Sequence, residues 1–86
     1  MKTFKLQIAA PDGLIYDGEA TQLSVRGIAG ELAIMAGHVP FVTALADGGS
    51  RVYLEDGSIK EGHASGGMLV VSKEYVRVMA LDFKWE

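Results

Sequence analysis

Cysteine is absent from this chain of 86 residues, which also has only two prolines and one tryptophan. Without thiols, neither a disulfide framework nor a thiolate metal site can stabilise the fold. No apolar run approaches the ~20 residues that a membrane-spanning helix needs. The opening residues also lack the long apolar core of a signal peptide. We therefore expect hydrophobic packing to supply the stability, and membrane association to come only through a partner.

Positive charge is also scarce, since 8 Lys and Arg stand against 11 Asp and Glu, for a net charge of −3. Affinity for nucleic acid depends on concentrated cationic charge, and the sequence has no basic cluster. It has no Gly-x-x-x-x-Gly-Lys-Ser/Thr phosphate-binding loop. The two histidines, His38 and His63, have no neighbouring ligands at metal spacing, and no serine stands in a nucleophile elbow. We predict no catalytic centre, no cofactor and no metal site.

The chain does have a regular alternation of apolar and polar residues with a period of two, as in Phe4-Lys5-Leu6-Gln7-Ile8. Such alternation predicts half-buried strands. A long strand from Leu14 to Arg26 changes phase near Thr21-Gln22, which predicts a β-bulge that lets one strand serve two sheets. Asp56-Gly57, between two alternating segments, is typical of a hairpin with a type I′ turn. Met68-Leu69-Val70-Val71 is apolar on both faces, which favours a central strand.

Eight or nine short strands and no convincing helical stretch predict an all-β fold. Because the apolar face of a sheet must be covered, two packed sheets or a closed barrel are the alternatives, and a sandwich is preferred. A chain of this length is too short for two domains. We predict one domain over residues 1–86, with residues 81–86 as a strand extension or a tail.

Six segments of the chain carry a pattern that is more specific than their composition. They are Ala10–Ala20, Val25–Gly27, Gly30–Ile34, Gly37–Leu45, Ser65–Val71 and Val76–Ala80. In order and spacing they resemble the N-terminal domain of the epsilon subunit of F-type ATP synthases, over about residues 3 to 80 with no evident gap. The resemblance implies a flattened β-sandwich of two roughly five-stranded, mostly antiparallel sheets, which agrees with the strand pattern.

The chain departs from that family at three points. Ala33 stands where the family usually has Gly, and Ala36 stands where it usually has Pro, so we expect a less rigid loop before His38. The family also continues from its last strand into a helical hairpin, which inhibits ATP hydrolysis and in some members binds ATP. This sequence stops at Glu86, so we expect neither property of it. The tail Leu81–Glu86 still alternates, which predicts a strand rather than the start of a helix.

The resemblance implies a non-catalytic subunit of the central stalk, which is part of the rotor. Such a subunit holds the gamma subunit on one side and the polar loops of the membrane-embedded c-ring beneath, so that ion-driven rotation is coupled to ATP synthesis in the catalytic head. The expected location is the cytoplasmic face of a bacterial membrane, or the matrix or stromal side in an organelle. The alternative is a free-standing β-sandwich module that binds a carbohydrate or a peptide, since fold alone does not decide function.

The resemblance also assigns contact residues. The predicted contacts with the c-ring are Ile28, Gly30 and Glu31. The predicted contacts with gamma are Ala10, His38, Pro40 and Thr43. For Glu31 the alternative is a solvated residue at a strand end, and for His38 it is a loop histidine bonded to nearby backbone. Phe83 and Trp85 are predicted to fold back onto the sandwich, because two aromatic side chains are costly to leave in water, and docking on gamma is their alternative.

Overall fold

A computed structural model describes residues 2–37 and 39–86, which form ten strands. The strands are β1 (Phe4–Ala10), β2 (Gly13–Ala20), β3 (Gln22–Gly27), β4 (Gly30–Met35), β5 (Phe41–Leu45), β6 (Gly48–Tyr53), β7 (Ile59–Ala64), β8 (Gly67–Val71), β9 (Tyr75–Ala80) and β10 (Phe83–Trp85). This part of the chain has no helix that could cross a membrane. The all-β prediction is confirmed.

Backbone pairing connects all ten strands, and we divide them into two five-stranded sheets. Sheet A has the order β5-β8-β9-β1-β2, and sheet B has the order β4-β3-β6-β7-β10. The pair Gly27 and Leu45 joins β3 of sheet B to β5 of sheet A. Backbone hydrogen bonds from Ile28 to Ala44 and from Ala46 to Arg26 flank it. Among the described strands, β1 and β9 run parallel and the other pairs run antiparallel. The predicted sandwich of two mostly antiparallel sheets is therefore confirmed.

The long strand predicted in the first third of the chain is divided at Thr21, where the chain passes from sheet A to sheet B. The carbonyl of Tyr53 accepts hydrogen bonds from the Thr21 N–H at 2.8 Å and from its hydroxyl at 3.1 Å. The change of phase near residues 21–22 is thus a corner rather than the predicted bulge. The shift in the β1–β2 register lies elsewhere, between Ile8 and Ala9.

The hairpin predicted at Asp56-Gly57 does connect β6 to β7, but its turn is not type I′. A type I′ turn needs positive φ at both central residues, and here Gly57 has a φ of +91° while Asp56 does not have a positive φ. The Asp56 carboxylate instead accepts hydrogen bonds from the Ser58 N–H at 2.9 Å and its hydroxyl at 2.6 Å. These bonds lower the pKa of Asp56, because they favour the charged carboxylate. The hydrogen-bonded Asp56 side chain therefore caps this turn, in place of the expected type I′ backbone conformation.

The hydrophobic core draws on both sheets. Its larger members from sheet A are Phe4, Leu6, Ile8, Leu45, Leu69, Val71, Val76 and Val78, and those from sheet B are Leu23, Val25, Ile34, Val52 and Phe83. Each such burial stabilises the fold by roughly 1.5–3 kcal/mol. Because successive side chains of a strand point to opposite faces, the residues between these core positions form two outer faces. We call them face A and face B after their sheets.

The free edges of the two sheets meet at a seam of three aromatic rings and one lysine, which we define as Tyr16, Phe83, Trp85 and Lys60. The ring of Trp85 makes edge-to-face contacts with Phe83 and Tyr16, with centroids 4.9 Å and 6.3 Å apart. The Lys60 ammonium lies 5.1 Å from the Trp85 centroid and 5.7 Å from the Tyr16 centroid. Partial burial, and then the charge of Glu19, raise the pKa of Tyr16. Side chains therefore close this side of the sandwich.

Candidate functional site: an apolar row and a hairpin tip

An apolar row crosses all five strands of sheet A on face A. Each member lies directly opposite the next across neighbouring strands, and the members are Ala44, Met68, Met79, Ala9 and Leu14. Leu14 is 56% exposed, Met68 is 44% exposed and Met79 is 41% exposed. Contiguous exposed apolar surface on a small domain marks an interaction site more often than isolated apolar residues do. The row is therefore the main candidate for a contact surface.

The neighbouring row on face A mixes apolar and polar side chains. Its members, in strand order, are Val42, Val70, Arg77, Gln7 and Asp17. Arg77 Nε donates a hydrogen bond to Gln7 Oε1 at 3.1 Å, and the Gln7 amide donates to Asp17 Oδ1 at 3.5 Å. The Arg77 guanidinium also lies 4.8 Å from the centroid of the Tyr75 ring. An apolar strip beside a hydrogen-bonded polar strip is how the core and rim of a protein interface are arranged.

Face B has charged side chains on each of its strands, although Met35 and Ile59 are also exposed there. Its outward charged or ionisable side chains are Arg26, Glu31, Arg51, Glu61, His63 and Lys84. Arg51 Nε pairs with Glu61 Oε1 at 3.1 Å, with both side chains more than half exposed. Hydrogen bonds to Tyr53 and Glu61, and the charge of Glu61, raise the pKa of Arg51. Exposed pairs of this kind contribute little to stability because water screens them, so this face is predominantly a solvated surface.

A shallow depression of about 210 Å³ lies on face B, and Gly49 and Gly62 are among its lining residues. Arg51, Glu61 and Glu86 line it together with Glu31. Within residues 2–37 and 39–86, no group of three or more His, Asp and Glu side chains could hold a metal ion. The depression therefore offers mixed charge without a recognisable ligand chemistry.

The three residues predicted to contact the c-ring lie together at the tip of the β3–β4 hairpin. Ile28 is 70% exposed, and Glu31 is exposed opposite Arg26. Gly30 has a φ of +129°, a conformation that favours glycine and allows the tight turn. The Ile28 N–H donates a hydrogen bond to the Ala44 carbonyl at 3.3 Å. The tip is thus attached to the Ala44 end of the apolar row.

The residues predicted to contact gamma are spread across sheet A. Pro40 is exposed just before β5, and Thr43 is half-buried within β5. Ala10 ends β1, from which β5 is separated by β8 and β9. His38 lies outside the described residues. The structure therefore places Pro40 and Thr43 at the β5 side of sheet A, with Thr43 on the inward side of its strand, and leaves Ala10 on another strand.

Phe83 and Trp85 lie in β10, where they belong to the seam. Phe83 is 7% exposed and Trp85 is half-buried. β10 pairs with β7, and the N–H of Glu86 donates to the Glu61 carbonyl at 2.9 Å. The tail thus forms the last strand of sheet B.

Sequence reasoning did not single out the apolar row. Its five members are far apart in the sequence, and only the strand register aligns them. One local signal was available, because β8 is apolar at outward as well as inward positions. That signal was interpreted as a central strand, and β8 does lie between β5 and β9. Its outward positions, Met68 and Val70, nevertheless remain partly accessible to solvent.

Comparisons with known proteins agree on one family. A family model described as the β-sandwich domain of the ATP synthase delta/epsilon chain matches residues 3–86. The ATP synthase epsilon chains of Bacillus velezensis and Acinetobacter baylyi are each 40% identical to this chain over 80 residues, which is 93% of its length. The chain spans 60% and 58% of the length of these two relatives.

Two solved structures contain a similar fold. A chain in the Euglena gracilis mitochondrial ATP synthase, solved as OSCP, F1 and c-ring, matches with a TM-score of 0.91 and 25% identity, over 96% of this chain and 53% of that one. A chain in the central stalk and c-ring of the Tetrahymena thermophila mitochondrial enzyme matches with a TM-score of 0.77 and 12% identity, over 96% of this chain and 66% of that one. The second likeness shows the fold alone.

The description of the family model and the first solved structure agree with the sandwich described above. They also confirm the resemblance that the ordered sequence segments indicated. This chain belongs to the ATP synthase delta/epsilon family and comprises its β-sandwich domain.

Proposed function

We propose that this domain is a non-catalytic part of the central stalk of an F-type ATP synthase. In this role it couples ion-driven rotation of the c-ring, through the gamma subunit, to ATP synthesis in the catalytic head. The observation that carries the proposal is the apolar row on face A and its hydrogen-bonded connection to the exposed hairpin tip. A coupling subunit needs two contact surfaces on one stiff body, and these features supply them.

Face A is the surface that we assign to gamma. An interface of standard size buries about 800 Å² per partner, and its apolar centre is surrounded by polar groups. The apolar row extends across a whole five-stranded sheet, and the Arg77–Gln7 hydrogen bond lies in the row beside it. The strands beneath are backed by the core, so the face is organised before binding and little ordering entropy is lost. Pro40, just before β5, and Thr43, on the inward side of β5, lie at the β5 side of the same sheet.

The hairpin tip is the surface that we assign to the polar loops of the c-ring. Ile28 offers a projecting apolar side chain, and Glu31 offers a carboxylate that can pair with a basic or amide group. Both lie within or beside a short turn between two paired strands, so the tip moves with sheet B. Contact with the membrane is then indirect, through the ring, at the cytoplasmic face of a bacterial membrane or its organellar equivalent.

The arrangement of the aromatic rings favours this function over a carbohydrate- or peptide-binding module. Such modules present exposed rings along a groove. Here the Tyr16 ring contacts Trp85 in the seam, and the Tyr75 ring lies beneath the Arg77 guanidinium. These rings are engaged within the domain, on different parts of its surface.

A matched pair of substitutions tests the assignment of face A to gamma. Ala44 and Ala33 are both exposed strand residues, the first on face A and the second on face B. We expect Ala44→Asp to weaken binding to purified gamma by about tenfold or more, because a carboxylate would be buried unpaired in the interface. Ala33→Asp should change the affinity by less than about threefold. Isothermal titration calorimetry gives both values.

Circular dichroism of the two variants checks that both remain folded. The proposal fails if the unmodified domain does not bind gamma at micromolar concentrations. The assignment of face A fails if Ala33→Asp weakens binding as much as Ala44→Asp does.

A further inference from the structure

The centre of the apolar row consists of two methionines on neighbouring strands. Met68 of β8 lies directly opposite Met79 of β9, and both side chains are more than two-fifths exposed. In a chain without cysteine, the methionine thioether is the side chain most readily oxidised by peroxides. Two exposed, oxidisable groups thus lie at the middle of the surface that we assign to gamma.

We propose that Met68 and Met79 form an oxidation-sensitive site that decides whether face A can dock on gamma. This inference rests on the proposed function. In the reaction, a hydroperoxide transfers one oxygen atom to the thioether sulfur, so that the S–O bond forms as the O–O bond breaks. The sulfur loses two electrons, and the peroxide is reduced to water or to an alcohol. The product is methionine sulfoxide, which is polar where the thioether was apolar.

The free domain tolerates this change because both side chains point away from the core. The inward neighbours, Leu69 and Val78, are fully or almost fully buried, whereas a sulfoxide at Met68 or Met79 remains in water. Docking would remove that water. A sulfoxide oxygen buried against an apolar partner without a hydrogen-bond donor is unfavourable, and two adjacent ones double the loss. The oxidised domain should therefore stay folded and bind gamma weakly.

The same geometry limits when oxidation can occur. Once gamma covers face A, the two thioethers are shielded from peroxide, so the reaction selects domains that have not assembled. Oxidation then prevents unassembled subunits from entering the stalk. Enzymatic reduction of the sulfoxides would return these subunits to the assembly-competent form.

Met35 provides an internal control with the same chemistry. It is 54% exposed on β4 and points to face B, so its oxidation should not affect docking on face A. The paired substitution Met68→Leu with Met79→Leu keeps the apolar surface but removes both thioethers. The matched variant Met35→Leu keeps the two central thioethers.

The experiment treats each purified domain with hydrogen peroxide, maps the oxidised methionines by mass spectrometry and measures gamma binding by calorimetry. We expect oxidation of Met68 and Met79 to lower the affinity of the unsubstituted domain by about tenfold or more. The domain with both central leucines should keep its affinity within about twofold after the same treatment. Met35→Leu should lose affinity as the unsubstituted domain does, and methionine sulfoxide reductases should restore it.

The inference is overturned if the oxidised domain binds gamma as tightly as the reduced one, or if the loss persists in the domain with both leucines. Hydrophobic-interaction chromatography of the free domain tests the oxidation site without gamma. It therefore distinguishes failure of this inference from failure of the proposed function. Oxidation should shorten retention of the unsubstituted domain more than that of the domain with both leucines, which keeps the exposed Met35. Failure of the reduced domain to bind gamma would refute the proposed function and the docking role together. An unchanged retention would refute the oxidation site alone.

Discussion

Face A and face B are built on sheets with the same inward pattern, yet they differ in what they offer to a partner. On face A, one row of cross-strand neighbours is apolar across all five strands, beside a row that mixes apolar and polar side chains. On face B, Arg26 lies opposite Glu31 and Arg51 lies opposite Glu61. The core constrains only the inward half of each strand. The outward half is free to specify contacts, so the comparison of outer faces carries the functional information.

Strands β8 and β7 show the same contrast within single strands. Both are flanked by strands on two sides. β8 has large inward side chains and apolar outward ones, whereas β7 is small inward at Gly62 and Ala64 and charged outward. The ring of Phe83 accounts for the small inward residues, since a Cβ at Gly62 would lie 2.6 Å from its Cζ. The residues of a strand therefore reflect two constraints: the element packed against its inward side and the surface that its outward side presents.

Two glycine substitutions give the largest expected difference between the sheets. In sheet A, Gly67 has a φ of +124°, and an added Cβ would lie 2.1 Å from the Met79 carbonyl oxygen. Gly67→Ala should lower the free energy of unfolding by about 3 kcal/mol or more. In sheet B, a Cβ at Gly49 would come no closer than 4.0 Å to the Gly62 carbonyl oxygen. Gly49→Ala should be neutral or stabilise by up to about 1 kcal/mol.

Urea unfolding followed by the fluorescence of Trp85, the single tryptophan, measures both values. If the two alanine substitutions destabilised the domain equally, these two positions of the sheets would not differ in their tolerance of an added Cβ.

The seam where the two sheets meet should show an intermediate effect. The Lys60 ammonium lies over the rings of Trp85 and Tyr16. Lys60→Met keeps the apolar stem and removes the cation, so it should lower the free energy of unfolding by about 0.5–1 kcal/mol. Lys84→Met, at an exposed position of β10, is the matched control and should have no measurable effect. A larger loss in the control would show that the seam does not depend on Lys60.

The ion pair on face B should show the smallest effect. Arg51 and Glu61 are both more than half exposed, so water competes with their attraction. Replacing either with Gln, or both together, should shift the thermal midpoint of unfolding by less than about 2 °C. Differential scanning calorimetry at low and high salt measures this. A larger shift that disappears at high salt would make face B a stabilising charge network rather than a solvated surface.

Local sequence patterns predicted some elements correctly and others incorrectly. The alternation of residues 4–8 predicted β1, because an amphipathic strand must bury one side. At Thr21 the phase change predicts a bulge, whereas the structure has a corner. A bulge and a corner give the same change of phase in the sequence, and only the hydrogen bonds to Tyr53 distinguish them. Similarly, Asp56-Gly57 predicted the hairpin but not the side-chain cap on Ser58 that replaces its expected turn.

The sequence by itself determined the all-β fold and the family, because alternation, turn residues and the spacing of six segments are local properties of the chain. It also placed Ile28 and Glu31 beside one turn. Only the tertiary structure decided that residues 9, 14, 44, 68 and 79 form one apolar row, and that Lys60 lies over two rings of the seam. The physical reason is that strand register depends on pairings between distant segments, and no local pattern encodes which outward side chains become neighbours.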